Sequence, residues 1–250
     1  NMKKSNKVIS LFSGAGGMDI GFKEAGFDIA VAVELDPSCC KTLRKNCPDL
    51  SVIEGDVSEV ETKTILKEAG LKPLQAALVI GGPPCQSFSL AGKRMGMGDS
   101  RGMLILEFAR VVHEALPKAF VMENVKGMLN WEKGRAIEAV MNEFKDPIIH
   151  KGKEYHYDVE YHVLNSADYG VSQYRERLFI VGNRLGKKYE FPAKTHTKKD
   201  SETATLFNEE LPPHKTAWDA FGSLPPADEP SETAKRVSKT IKERIVNHGY

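Results

Sequence analysis

The run "AALVIGGPPCQSFS" (residues 76–89) joins an apolar segment to two glycines, two prolines and a cysteine, and the reading of that junction decides the fold. A short continuous apolar run bounded by turn residues reads as a strand covered on both faces. The strand stops at Gly81 and Gly82, and the prolines then restrict the backbone and fix where the Cys85 sulfur points. As a packed small hydrophobe Cys85 would be unremarkable. A metal ligand would need a second cysteine or histidine at ligand spacing, and none stands there. A nucleophile fits a residue just past a strand end, provided the site supplies cationic or helix-end help to ionise the thiol. The next stretch, "SLAGKRMGMGDSRG", is rich in glycine, serine and basic residues, as suits a loop that closes over a substrate.

Working outward, the chain alternates strand and helix patterns. "KVISLF", "IAVAVEL", "SVIEGDV", "AALVIGG" and "KAFVMENV" read as strands. "GMDIGFKEAGF", "PSCCKTLRKNC" (Pro37 at its first turn) and the amphipathic "GMLILEFARVVHEAL" read as helices. Such alternation predicts an α/β fold: a doubly wound, mostly parallel sheet with helices on both faces. Farther on, "YDVEYHVLNSADYGV" and "RERLFIVGNRL" alternate with a period of two. The loop between them is too short for a helical crossover, which predicts an antiparallel last strand pair. Beyond Arg184 the sequence turns polar and proline-bearing, with one short helix expected around "TAWDAF". The expected division is residues 1–184 as one α/β domain and residues 185–250 as a polar linker.

The bulk properties narrow the class. No apolar run approaches a membrane span, and the lysine-bearing start lacks the long apolar core of a secretion signal. Cys39, Cys40, Cys47 and Cys85 form neither a CxxC pair nor a zinc spacing. A reducing, cytoplasmic setting without disulfides or metal is the expectation. The net charge of +1 is weak for a protein that grips nucleic acid unaided.

Several strand ends carry candidate chemistry. "FSGAGGMDIGF" (residues 12–22) is a glycine-rich turn that leads into a helix N-terminus, where free N–H groups and absent side chains let a ligand approach. Its spacing is not the dinucleotide G-x-G-x-x-G. Glu34 follows roughly twenty residues later at the end of the second strand, where such folds set a carboxylate against ribose hydroxyls. Asp56 ends the third strand on the same edge of the sheet. A glycine loop with two strand-end acids fits a cofactor that bears adenosine. Glu123, in "ENV", ends the fifth strand and is a candidate proton donor if shielded from solvent. Gln173, Arg175 and Arg177 alternate in "QYRERLFIVG" and are expected on one strand face, where two arginines usually form an exposed ladder but, facing a carboxylate and an anionic ligand, would orient both.

Together these segments resemble the C5-cytosine methyltransferase family. "FSGAGGMDIGF", "ELD", "GDV", "GGPPCQSFS", "FVMENVKGM" and "QYRERLFIVG" resemble its motifs in the same order, from about Val8 to Gly182. The resemblance implies a Rossmann-like methyltransferase fold with S-adenosylmethionine as cofactor and S-adenosylhomocysteine as product. It implies that Phe12, Gly14, Gly16 and Gly17 line the cofactor, with Glu34 on the ribose and Leu35, Asp56 and Val57 around the adenine. Pro84 and Leu104 would complete that pocket. It implies Cys85 as the nucleophile on cytosine C6, Glu123 as the proton donor to N3, and Arg177, assisted by Arg175, on the O2 side of the base. Asn124 would support the turn that carries Cys85. The target is expected to be a cytosine flipped out of double-stranded DNA.

Two family features are missing from the sequence: the variable target-recognition domain and a closing Gly-Asn-x-Val-Pro type motif. The expectation is therefore the catalytic (alpha) subunit of a split enzyme within a restriction system, with a second polypeptide for recognition. A truncated chain or a degenerate homologue would also lack those parts. A tRNA cytosine-5 methyltransferase and an inactive cofactor-binding scaffold are the alternative functions.

Overall fold

The computed structural model describes residues 6–84, 103–198 and 211–224. Seven strands form its main sheet: β1 (Lys7–Leu11), β2 (Asp28–Glu34), β3 (Ser51–Glu54), β4 (Leu78–Gly81), β5 (Ala119–Val125), β8 (Asp158–Asn165) and β9 (Glu176–Asn183). Their order across the sheet is β3-β2-β1-β4-β5-β9-β8. The first five run parallel. β9 returns antiparallel between β5 and β8, as the alternating sequence predicts. The chain first builds outward from β1 to β3 and then restarts on the other side with β4. That reversal opens a crevice at the carboxyl ends of β1 and β4.

The helices are α1 (Gly17–Glu24), α2 (Pro37–Asn46), α3 (Thr62–Glu68), α4 (Met103–Ala115), α5 (Arg135–Lys145) and α6 (Ala217–Phe221). α2 begins where expected, with Pro37 in its first turn. Its N-cap is Asp36, whose Oδ1 accepts from Ser38 N and Cys39 N at 2.7 and 3.0 Å. α3, α5 and the small hairpin of β6 (Ile148–His150) and β7 (Lys153–Tyr155) are additional to the elements read from the sequence.

One face of the sheet carries the main core. Phe108 of α4, Phe120 of β5 and Phe144 of α5 are fully buried against one another, and Phe120 also meets Tyr157. Phe120 stacks on Phe144 with ring centroids 4.4 Å apart. The stack needs a glycine opposite: a Cβ on Gly182 of β9 would collide with the Phe120 ring. Arg184, just past β9, donates to the carbonyls of Leu74, Leu116 and Pro117, which ties the sheet's antiparallel half to turns of its parallel half. Leu74 and Leu116 both have positive φ, a cost these contacts help offset.

The opposite face is only partly covered. Met18 and Phe22 of α1 pack on Val8, Leu78 and Ile80, while Ala119 and Val121 of β5 stay half-buried beside them. Beneath α1, Ser10 donates to Asp19 Oδ1 at 2.5 Å, while the buried Asp19 Oδ2 has no hydrogen-bond partner among the described residues. Burial raises the Asp19 carboxyl above its ordinary range, outweighing the Ser10 bond that lowers it.

Gly182→Ala should therefore destabilise the fold by about 1–3 kcal/mol in urea unfolding, because Phe120 has no room to move. For Asp19 the sign follows from its raised native pKa. Its ionised form is disfavoured on folding, so the wild type loses stability as pH rises through that native pKa. Asp19→Asn should gain on the wild type in urea midpoint as pH rises from the ordinary carboxylate range through that native pKa, and the gain should vanish as pH falls below that range. A pH-independent difference in urea midpoint would contradict this.

Candidate active site

The turn after β1 is built from left-handed residues: Phe12, Gly14 and Gly16 have φ of 52°, 55° and 89°. Glu34 at the end of β2 holds this turn, as Oε2 accepts from Gly14 N at 2.7 Å and Oε1 from Asp36 N at 2.8 Å. The expected ribose ligand thus also braces two loops, and each oxygen keeps a lone pair for a ligand hydroxyl. Gly16 serves packing. A Cβ there would stand 2.9 Å from Leu43 Cδ2, so its absence lets α1 close onto α2.

At the carboxyl edge of the sheet lies a cavity of about 260 Å³. Of the residues expected around a cofactor, Phe12, Glu34, Leu35, Asp56, Val57, Pro84 and Leu104 line it. Gly14, Gly16 and Gly17 shape the adjoining turn without lining the cavity. Val33, Gly55 and Gly82 also form its wall, the two glycines within the motifs "GDV" and "GGPPCQSFS" and Val33 just before Glu34. Apolar walls with a carboxylate at two strand ends match the donor set for a flat heteroaromatic base that carries hydroxyls. Asp56 Oδ1 accepts from Ser58 N and Ser58 Oγ at 2.9 and 2.7 Å, which stiffens its loop. Arg110 of α4 clasps the same loop by donating to Val57 O, Val60 O and Thr62 Oγ1. In sequence Arg110 looks like an ordinary polar residue of an amphipathic helix, so nothing there marks this role. A wider groove of about 800 Å³ runs between α1 and the end of α2, lined by Ile20, Lys23, Asp28 and Asp49 among others. It contains neither Glu34 nor Asp56; the two strand-end carboxylates meet at the smaller cavity.

Beside that cavity, Arg177 Nε stands 2.9 Å from Glu123 Oε1, and both side chains are about three-quarters buried, at 23% exposed each. Such a charge-assisted contact orients the carboxylate. Glu123 Oε2 lies over Gly82, where a Cβ would come within 3.3 Å. Asn124, 2% exposed, donates from Nδ2 to Pro83 O at 3.1 Å and so grips the turn that leads to Cys85. Cys85 itself lies outside the described residues. Arg175 departs from the expected strand face, because β9 starts only at Glu176. Asn165 Oδ1 accepts from Arg175 N at 3.1 Å, and Ser166 N donates to Arg175 O at 3.0 Å. These contacts replace strand pairing at that point, so Arg175 sits exposed at the strand's mouth, with Arg177 alone reaching Glu123. No cluster of potential metal ligands occurs among the described residues, and none of their helices is long and apolar enough to cross a membrane.

The family model for C-5 cytosine-specific DNA methylase matches residues 6–247. The chain is 65% identical over 245 residues to the type II methyltransferase M.AquIA of Picosynechococcus sp., covering 98% of this chain and 99% of that one. It is 42% identical to M.FnuDI of Fusobacterium nucleatum over 74% of this chain and 50% of the relative. Identity to M.NgoPII of Neisseria gonorrhoeae is 39%, over 80% of this chain and 54% of the relative. Thus the chain spans nearly all of the first relative and about half of the other two. A prophage-encoded protein of E. coli, described as a DNA modification methyltransferase, superposes with a TM-score of 0.66 at 29% identity. That match covers 88% of this chain and 56% of the other. The S. pombe Dnmt2 methyltransferase shares the fold with a TM-score of 0.54 at 21% identity, over 74% of this chain and 51% of its own. With its strand-end carboxylates, its glycine turn and a matching family model over nearly its whole length, the chain belongs to the C-5 cytosine-specific DNA methylase family.

Proposed function

We propose that this chain is the catalytic chain of a bacterial DNA cytosine-5 methyltransferase that works in the cytoplasm within a restriction–modification system. The observation that carries the reading is the Arg177–Glu123 contact at the strand edge where Asn124 grips Pro83, two residues before Cys85. It joins a held carboxyl group to the turn that bears the thiol.

The cavity residues Phe12, Leu35, Val57, Pro84 and Leu104 would sandwich the adenine of S-adenosylmethionine, with Glu34 at its ribose and Asp56 at the polar edge of the base. Once bound, the cofactor supplies an electrophilic methyl group and leaves as S-adenosylhomocysteine. Cytosine C5 is too poor a nucleophile to capture that group unaided. Addition of the Cys85 thiolate to C6, with proton delivery from Glu123 to N3, turns the ring into an enamine whose C5 is electron-rich. Arg177 holds Glu123 in place and, with Arg175, faces the O2 side of the base. After methylation, water takes the C5 proton, the C5–C6 double bond re-forms as the C6–S bond breaks and frees the thiolate, and N3 returns its proton to the Glu123 carboxylate, which restores the aromatic ring. The cytosine must leave the duplex to be reached, at a cost of a few kcal/mol that pocket contacts offset.

A second polypeptide for target recognition is part of this proposal. Ala119 and Val121 on the partly covered sheet face support it, as do the exposed Trp218, Phe221 and Leu224 at α6 (78%, 61% and 63% exposed). Apolar surface of that kind marks interaction sites.

Transfer from labelled S-adenosylmethionine to duplex DNA, compared with tRNA as acceptor, tests the reading; tRNA preference or no transfer to DNA would overturn it. Cys85→Ser should abolish transfer and the covalent trapping of 5-fluorocytosine DNA. Glu123→Gln should lower kcat on the order of 10²–10⁴-fold. The full chain should gain sequence-specific activity when the polypeptide encoded immediately downstream is added. Full sequence-specific activity of the chain alone would remove the second polypeptide from the account.

A further inference from the structure

One polar cluster near the site takes no part in that chemistry. The His214 side chain, 11% exposed, has a partner at each ring nitrogen. Nε2 is 2.9 Å from Asp168 Oδ1, and Nδ1 is 2.8 Å from the Tyr174 hydroxyl. The Tyr174 and His214 rings also meet edge to face at 5.2 Å. Lys194 Nζ stands 2.9 Å from Asp168 Oδ2. Burial raises the Asp168 carboxyl, but the Lys194 and His214 hydrogen bonds outweigh it and hold the group below the usual carboxylate range. An ionised Asp168 only accepts, so Nε2 carries the proton, and in the neutral ring Nδ1 accepts from Tyr174.

The cluster joins segments far apart in sequence. Asp168 O accepts from Thr195 N and His196 N, while His214 N donates to Thr197 O, so the chain after β9 is folded back onto the 3-10 turn Ser166–Tyr169. The other end of the cluster is Tyr174, the residue before Arg175. Tyr174 is 64% exposed, so packing does little to hold it, and the His214 contacts fix it in place. Arg175 has its main chain pinned by Asn165 and Ser166 on one side and by this cluster on the other.

We propose that Asp168, His214 and Tyr174 act as positioning residues for methyl transfer, setting loop residues 171–175 so that Arg175 is presented to the base beside Arg177. The proposal rests on the cytosine methyltransferase reading. Displacing a substrate-orienting group by about 1 Å costs on the order of 10²-fold in rate, so a surface hydrogen bond placed here affects turnover well beyond its share of stability.

Steady-state transfer to duplex DNA by the full chain, with its second polypeptide, tests this in His214→Ala, Tyr174→Phe and His214→Gln. The first two should lower kcat about tenfold or more at saturating DNA. Binding of S-adenosylmethionine, measured by equilibrium dialysis, should stay within about twofold of wild type. His214→Gln should recover most of kcat, since its amide can donate to Asp168 and accept from Tyr174. If His214→Ala loses cofactor binding as well, it has lost its fold, and Tyr174→Phe at the surface decides. Wild-type kcat in Tyr174→Phe overturns the proposal, whatever happens to the melting temperature, as does failure of His214→Gln to recover. If the underlying reading is wrong, the wild-type enzyme itself transfers no methyl group to DNA, and the positioning role falls with it.

Discussion

The Glu123–Arg177 ion pair spans two neighbouring strands that run in opposite directions, and the arrangement of the site depends on that reversal. β5 brings Glu123 to the carboxyl edge as its chain leaves the sheet, while β9 brings Arg177 to the same edge as its chain enters. In a wholly parallel sheet the start of the next strand would lie at the far edge, away from the crevice between β1 and β4. The antiparallel strand therefore puts an arginine into a constellation otherwise built from strand ends.

Around that pair the polypeptide relies on backbone proximity. Gly82 lets the Glu123 carboxylate lie close over the turn, Asn124 holds the carbonyl of Pro83, and Glu34 ties two successive loops through their amides. None of these contacts involves a long flexible side chain free in solvent. The site is preorganised by short connections between strand ends, which is the condition for electrostatic help in the proposed proton transfers.

Much of this was legible in sequence because its signals are local. Apolar runs that stop at glycine or proline marked β1, β2, β4 and β5 to within a residue or two, and Pro37 marked the start of α2. Carboxylates at strand ends pointed to the cavity. The unread parts depend on contacts distant in sequence. Arg110 reaches Val57 and Val60, some fifty residues away, from a helix face that looks solvated. Arg175 leaves the strand because Asn165 and Ser166 take over its main chain, and no periodicity records that. α3 escaped notice because "TKTILKE" spans only seven residues, whereas α5 did carry a helical period, at Ala136, Ile137, Val140, Met141 and Phe144, that went unread.

The contact between Gly182 and Phe120 reaches beyond this one molecule. The ring occupies the space a side chain on β9 would need, and the same ring stacks on Phe144 across the core. As homologues diverge, neither position is free to drift by itself. A larger residue on β9 becomes tolerable only where the aromatic on β5 has already been traded for something smaller, so substitutions at the two places should arise as a pair.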